Sequence, residues 1–355
     1  MNRRAARPLG IAMAAAAALG AFAAIGCSSS TDEPPAGSFV PVSARPSASA
    51  ALPPTARVAL PTTSSEAVVV PPTVKGVLPP GYAEGVLPLD VPMRVAVLTR
   101  GAEPRRALRY AFKPGAHRVT KLQVHPETTI DADQPKEMHL PDLAMSVDLA
   151  VAEREESTVH LAGKFLSVEL ASEVPEGVNR APLEGALRAI EKLGFELDVD
   201  DRGLRSAFRV SESPDPGPLQ LLERMRQGLA SLVVPLPLEE IGIGATWQCV
   251  TRVQGNTPLI QFMTYTLKSL SGDVFEVEGR ADLYAATGAV ELPGGAGTAK
   301  IEDFSSKLEG TTSASLEEIG PRLGRWDIQS AFAVRTAKNG VKMNTKIHFE
   351  MKAPP

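Results

Sequence analysis

Cysteine is nearly absent from this chain. There are two, Cys27 and Cys249, in 355 residues, so no disulfide framework is available and the fold must be held by its core. Basic charge is short as well. Lys and Arg number 37 against 41 acids, a net charge of −4; without the three arginines of residues 1–26 it becomes −7. No basic stripe runs along the chain, which excludes nucleic acid as a partner.

The motifs of catalysis are missing too. No G-x-S-x-G elbow occurs, nor S-x-x-K with its companion motifs. The glycine-rich runs GIGATW (242–247) and GGAGTA (294–299) complete neither a dinucleotide fingerprint nor a phosphate loop. Gly242 and Gly244 are read as a tight turn before Trp247. LDVDDRG (197–203) superficially resembles a calcium loop through Asp198, Asp200 and Gly203. Arg202 and Arg209 occupy positions where ligands are required, so it is read as a hairpin turn. His117, His125, His139, His160 and His348 show no i,i+4 pair and no ligand spacing, and are read as solvated. Cys249, Trp247 and Trp326 are read as core. A non-enzymatic protein without cofactor or metal is expected.

What is plentiful is proline. Of 31, many fall in the first quarter. Arg3, Arg4 and Arg7 precede LGIAMAAAAALGAFAAI (9–25), and AIGC (24–27) ends that apolar run before SSSTDE (28–33). This pattern resembles a bacterial lipoprotein signal, although Ala24 stands where the lipobox has leucine. The resemblance implies cleavage of residues 1–26 and acylation of Cys27. With Ser28 next, it implies an outer-membrane address. Residues 27–92, with paired prolines at 34–35, 53–54, 71–72 and 79–80, read as a disordered tether favouring polyproline II. Its reach is roughly 200 Å at ~3.1 Å per residue.

Residues 93–355 read as the folded domain. RALRYAF (106–112), HRVTKLQVH (117–125) with a mid-strand bulge, MSVDLAV (145–151) and TVHLAGKFL (158–166) read as strands, the last two as a hairpin. Residues 182–193 read as a helix placing Leu183, Leu187, Ile190 and Leu193 on one face. FELDVDDRGLRSAFRV (195–210) reads as a hairpin turning at Asp200–Gly203. A second helix is expected over 215–232, with Leu222, Met225, Leu229 and Leu232 on one face. It runs into the proline-punctuated LVVPLPLEEIGIGATW (232–247). Further strands are expected at 246–253, in a hairpin over 262–279, as a pair within 298–318, and as a hairpin over 323–334 and 340–351 turning at Asn339–Gly340. Val341, Met343, Thr345, Ile347, Phe349 and Met351 alternate against Lys342, Lys346, His348 and Glu350.

SAFRV (206–210) against SAFAV (330–334), and 145–163 against 262–279, suggest duplicated halves over 93–213 and 246–355 joined by the helix at 215–232. The fold class expected is α+β and β-dominated: a curved antiparallel sheet, half-barrel-like, packed on two amphipathic helices.

Three stretches carry a wider resemblance, over roughly 105–350: RYAF (109–112), ELDVDDRGLRS (196–206) and PLP-x-E-x-IGIGATW (235–247). They resemble those of uncharacterised myxobacterial-type lipoproteins from predatory, soil-dwelling proteobacteria. At fold level the expected sheet is similar to that of lipoprotein carriers that hold acyl chains in a half-barrel. The resemblance implies a periplasm-facing, membrane-anchored protein carrying an apolar ligand or envelope component. The alternative is a structural protein docking another envelope protein.

Overall fold

The structure is a computed structural model that describes residues 68–72, 76–131, 136–156, 158–174, 180–210, 229, 232–253, 257–291, 298–336 and 340–353. Residues 1–26, Cys27, most of the tether, Asn339, and the helix expected over 215–232 apart from Leu229 and Leu232 lie outside the described residues.

The elements are α1 (Tyr82–Val86), β1 (Met93–Thr99), β2 (His117–Asp131), β3 (Lys136–His139), β4 (Leu143–Glu155), β5 (Thr158–Leu170), α2 (Arg180–Ile190), β6 (Gly194–Asp200), β7 (Arg205–Val210), β8 (Thr246–Val253), β9 (Leu259–Ser271), β10 (Val274–Ala285), β11 (Ala289–Glu291), β12 (Thr298–Ser315), β13 (Pro321–Arg335) and β14 (Gly340–Lys352). They form one open antiparallel sheet in the order β1-β8-β9-β10-β12-β13-β14-β2-β4-β5-β6-β7, with β3 beside β2 and β11 beside β12. One apolar cluster takes Met93 and Val95 from one edge and Phe195, Leu197 and Val199 from next to the other. Strands so far apart share a core because the sheet curls around it.

Alternation explains the inward faces. Met145, Val147, Leu149 and Val151 on β4, and Val159, Leu161 and Phe165 on β5, are all buried as expected. So is the apolar face of β14, with Val341 and Phe349 only partly covered. Trp326 fits because two glycines make room for it. A Cβ on Gly279 would lie 2.5 Å from its ring, and one on Gly310 2.7 Å. Its Nε1 donates to Thr312 Oγ1 at 3.0 Å.

Four expectations change. First, β2 runs unbulged from His117 to Asp131, with no register shift against β14 or β4. Its Pro126 is tolerated because β4 pairs with residues 117–124 and β3 with 127–130, so the missing N–H falls in the gap between partners. Second, 298–315 is one strand rather than a pair, since Gly310 serves the tryptophan slot and makes no turn. Third, RALRYAF is not a strand beyond a single bridge from Arg106 to Ile241. Its Leu108, Tyr110 and Phe112 are nonetheless buried, because this segment crosses the core.

Fourth, the last part of the expected tether is folded. Leu78, Ala83 and Leu87 are at most 3 % exposed and pack on Val250, Ile260 and Phe262, on the outer face of β8 and β9. Gln248 donates to Val69 O at 2.9 Å and accepts from Val69 N at 3.0 Å. Arg252 donates to Ala83 O and Leu87 O. Polar side chains here take the place of a ladder that the proline pairs do not supply.

The same logic governs the proline-rich run after Leu232. Residues 232–237 are buried without a strand, so their backbone groups need individual partners. Val234 O accepts from the Tyr110 hydroxyl at 2.9 Å and Pro235 O from Trp247 Nε1 at 2.8 Å. Leu236 N donates to Arg202 O at 2.8 Å, and Pro237 O and Leu238 O accept from Arg109. Together with 104–112 this run caps one end of the curled sheet. α2 buries Leu183, Leu187 and Ile190 as expected but ends at Ile190, with Leu193 buried just beyond it, and Glu191 accepts from Val168 N at 2.8 Å.

The cap rests on the β6–β7 turn. Asp200 Oδ1 accepts from Arg202 N at 2.9 Å and Leu204 N at 2.8 Å. Gly203 has φ +76°, and a Cβ there would lie 2.7 Å from Val233 Cγ1 and 2.9 Å from Val234 O. Gly203→Ala is therefore expected to destabilise by about 1–3 kcal/mol through backbone strain alone, with the clash in addition. Gly272→Ala, at φ +62° with open space around it, should cost less. Urea midpoints of the two variants check this order.

Candidate functional site

The inner face of the sheet changes character along its strands. Towards the capped end lies the main core; towards the other lies a second apolar cluster of Ile130, Ile301, Phe304, Phe332, Val334 and Met343. Between them runs a register row of hydroxyls. Ser306 on β12 faces Ser330 on β13 at 2.7 Å, and Thr345 on β14 faces Thr128 on β2 at 3.3 Å. All four are buried. Cross-strand hydroxyl pairs satisfy each other within an otherwise apolar surface.

Beside that row, Leu283, Leu308, Ile328 and Phe349 are apolar and only partly buried. Leu308 and Ile328 are direct cross-strand partners, and Ile328 faces the buried Ile347. These four are among the partly covered apolar residues packed on the core. A separate depression of ≈ 380 Å³ lies over β12, β13 and β14. Its wall includes Ser305, Lys307, Gln329, Asn344 and Lys346, which belong to the outer, polar face.

The outer face carries the histidines, and here the structure adds what the sequence did not show. Each of the four with described side chains faces an aspartate on an adjoining strand or loop. His117 Nδ1 lies 3.6 Å from Asp148, His125 Nδ1 3.0 Å from Asp142, His160 Nδ1 2.8 Å from Asp198, and His348 Nδ1 2.9 Å from Asp327. The side chain of His139 lies outside the described residues. His125 and His348 are register partners whose rings stack with centroids 6.1 Å apart.

The tightest group surrounds His160. Donor atoms of Glu153, Glu155 and His160 all lie within 4.8 Å of one another. Asp198, behind the imidazole, is gripped by Arg209 at 2.8 and 2.9 Å. Burial works to raise the Asp198 carboxyl, but the hydrogen bonds and charges of Arg209 and His160 outweigh it and hold it below its ordinary value. The apparent calcium loop is thus divided: Asp198 serves His160, while Asp200 closes the turn. Cys249, expected in the core, is 2 % exposed. Cys27, the expected acylation site, lies outside the described residues.

His348 is held above its ordinary value chiefly by the hydrogen bond to Asp327; burial opposes this, and Glu350 adds to it. A folded-state value above the unfolded 6.5 means its contribution is complete below about pH 6.5 and disappears as pH rises through the folded value. Wild type and His348→Gln should differ in thermal midpoint by on the order of 1–2 °C at pH 5.5, as expected of an exposed pair. The difference should vanish by pH 9; melting curves at both pH values check it.

No known family profile and no curated protein matches the chain. Among solved structures, one of lipovitellin, titled for its lipid–protein interactions, is similar over 69% of this chain and 26% of that one, at 10% identity and TM-score 0.42. This chain therefore spans about a quarter of lipovitellin. The attachment invasion locus protein Ail of Yersinia pestis is 8% identical over 68% of this chain and 99% of its own, at TM-score 0.17. An outer membrane channel from Pseudomonas putida F1 is 7% identical over 69% and 98%, at TM-score 0.18. None of these scores establishes a shared fold.

Proposed function

We propose that this protein is an envelope lipoprotein, anchored through acyl chains on Cys27, that holds an apolar molecule against the inner face of its curled sheet. The observation that carries this reading is the partly covered patch of Leu283, Leu308, Ile328 and Phe349 in neighbouring register positions of the inner face. Fully burying such a side chain is worth about 1.5–3 kcal/mol. A guest that completes their burial therefore recovers stabilisation the chain leaves unused. The lipoprotein-like signal and the proline-rich tether support a location at the envelope, within reach of such guests.

A second reading, docking of another envelope protein, is favoured by Leu98, Leu238 and Ile243, which are 41%, 39% and 52% exposed near the capped end.

Native mass spectrometry of the full chain extracted in mild detergent separates the two. The expected result is an apolar mass released on denaturation, with occupancy lowered at least tenfold by Ile328→Asn. A guest-free chain that stays so after addition of lipid extract would overturn the proposal in favour of docking. Cys27→Ser should move the chain from the membrane to the soluble fraction and remove the acyl mass; retention in the membrane would refute the anchor.

A further inference from the structure

We propose that Glu153, Glu155 and His160 form a binding site for a divalent transition-metal ion, with Asp198 as the residue that positions the histidine. The site stands on the outer face of β4, β5 and β6, away from the inner face invoked above, and does not depend on that reading.

The backbone sets the site up. On β4 the inward residues run Leu149 then Val151, and strict alternation would send Glu153 inward after them. A register shift between Val151 and Glu153 inserts Ala152 as an extra residue and returns Glu153 to the outer face. There it is the direct cross-strand partner of His160. Glu155, two residues on, shares that face. Bulges commonly re-aim side chains in this way next to functional sites.

The next strand supplies the imidazole's orientation. His160 is the register partner of Asp198 on β6, and its Nδ1 lies 2.8 Å from Asp198 Oδ1. An ionised carboxylate only accepts, so Nδ1 carries a proton and Nε2 is the ring atom left to meet a metal. A carboxylate behind a histidine is the usual arrangement for a metal ligand, because it fixes the tautomer and raises basicity. Arg209 in turn neutralises Asp198 through its two hydrogen bonds and binds Glu196 with its third nitrogen at 2.9 Å. The acid behind the histidine is thereby matched.

The charge and geometry of the front donors fit a dication. Two carboxylates and an imidazole bring mixed oxygen and nitrogen donors, a set suited to zinc and its neighbours more than to calcium, which takes oxygen ligands. Donors about 2.0–2.2 Å from one tetrahedral zinc ion lie about 3.3–3.6 Å apart. The three donors lie within 4.8 Å of one another, so the two glutamate side chains must close in by about 1 Å, a rotamer adjustment. Three protein ligands leave a fourth position to water.

Zinc ion alone is the probe. The full chain in detergent, stripped with chelator and then titrated with Zn²⁺ by calorimetry, is expected to take up one ion per chain. His160→Ala and the Glu153→Gln/Glu155→Gln pair should each weaken uptake at least thirtyfold, with unchanged circular dichroism. Asp198→Asn should weaken it by about 10–100-fold. Cobalt absorption bands should disappear in the same variants. His348→Ala should change nothing. No uptake at millimolar zinc, or uptake indifferent to both front-donor variants, overturns the site; so does equal loss in His348→Ala.

Discussion

The pairing of β14 with β2 is the interaction on which the rest of the architecture depends. Every other long ladder except β1 with β8 joins strands within one run of the chain. This one joins Lys342–Lys352 to Lys121–Asp131 in continuous antiparallel register, and so makes one sheet of two runs. Without it, β2, β4, β5, β6 and β7 would form one edge-exposed sheet and the later strands another. The core cluster that draws on β1, β4, β6, β9 and β13 exists because the ladder fixes how far apart those strands lie around the curl.

Given that sheet, the capped end poses a backbone problem. Two irregular segments cross buried space where no ladder is available, and one of them contains prolines. The solution is a set of side chains used singly: Tyr110 and Trp247 donate to carbonyls, and Arg109 closes the last two. Polar tips on large apolar bodies suit this work, since the ring fills volume while one atom satisfies the chain. It explains why residues of such different sequence position as Tyr110, Arg202 and Trp247 meet around Val234–Leu236.

The hairpins of β4 with β5, β6 with β7 and β9 with β10 were legible in the sequence because period-two alternation and a turn signal occur together in each. The faces of β14 and the packing of Trp247 and Trp326 were legible for the same reason. What the sequence did not show depends on partners distant in the chain. The pair expected within 298–318 is one strand, with Gly310 lying against Trp326, and the strand expected over 117–125 continues through Pro126 because the gap between β3 and β4 lies beside it. The histidine–aspartate pairs were hidden too. His160 and Asp198 are 38 residues apart, and only the register of β5 on β6 brings them together. Leu78 and Leu87 read as tether because proline pairs surround them, yet each supplies apolar area that the outer face of β9 needs covered.

The clasp made by residues 68–72 and 76–92 has a mechanical consequence. Any tension arriving from the preceding residues reaches the domain first at Val69, which is joined to Gln248 by two hydrogen bonds side by side. Arg252 then holds the carbonyls of Ala83 and Leu87 further along, and Arg94 holds that of Val86 at 3.0 Å. Load is thus spread over Gln248 and Arg252 on β8 and Arg94 on β1, an edge strand of the sheet. Tension from the chain is met by side-chain hydrogen bonds before it reaches the ladder of β1 on β8.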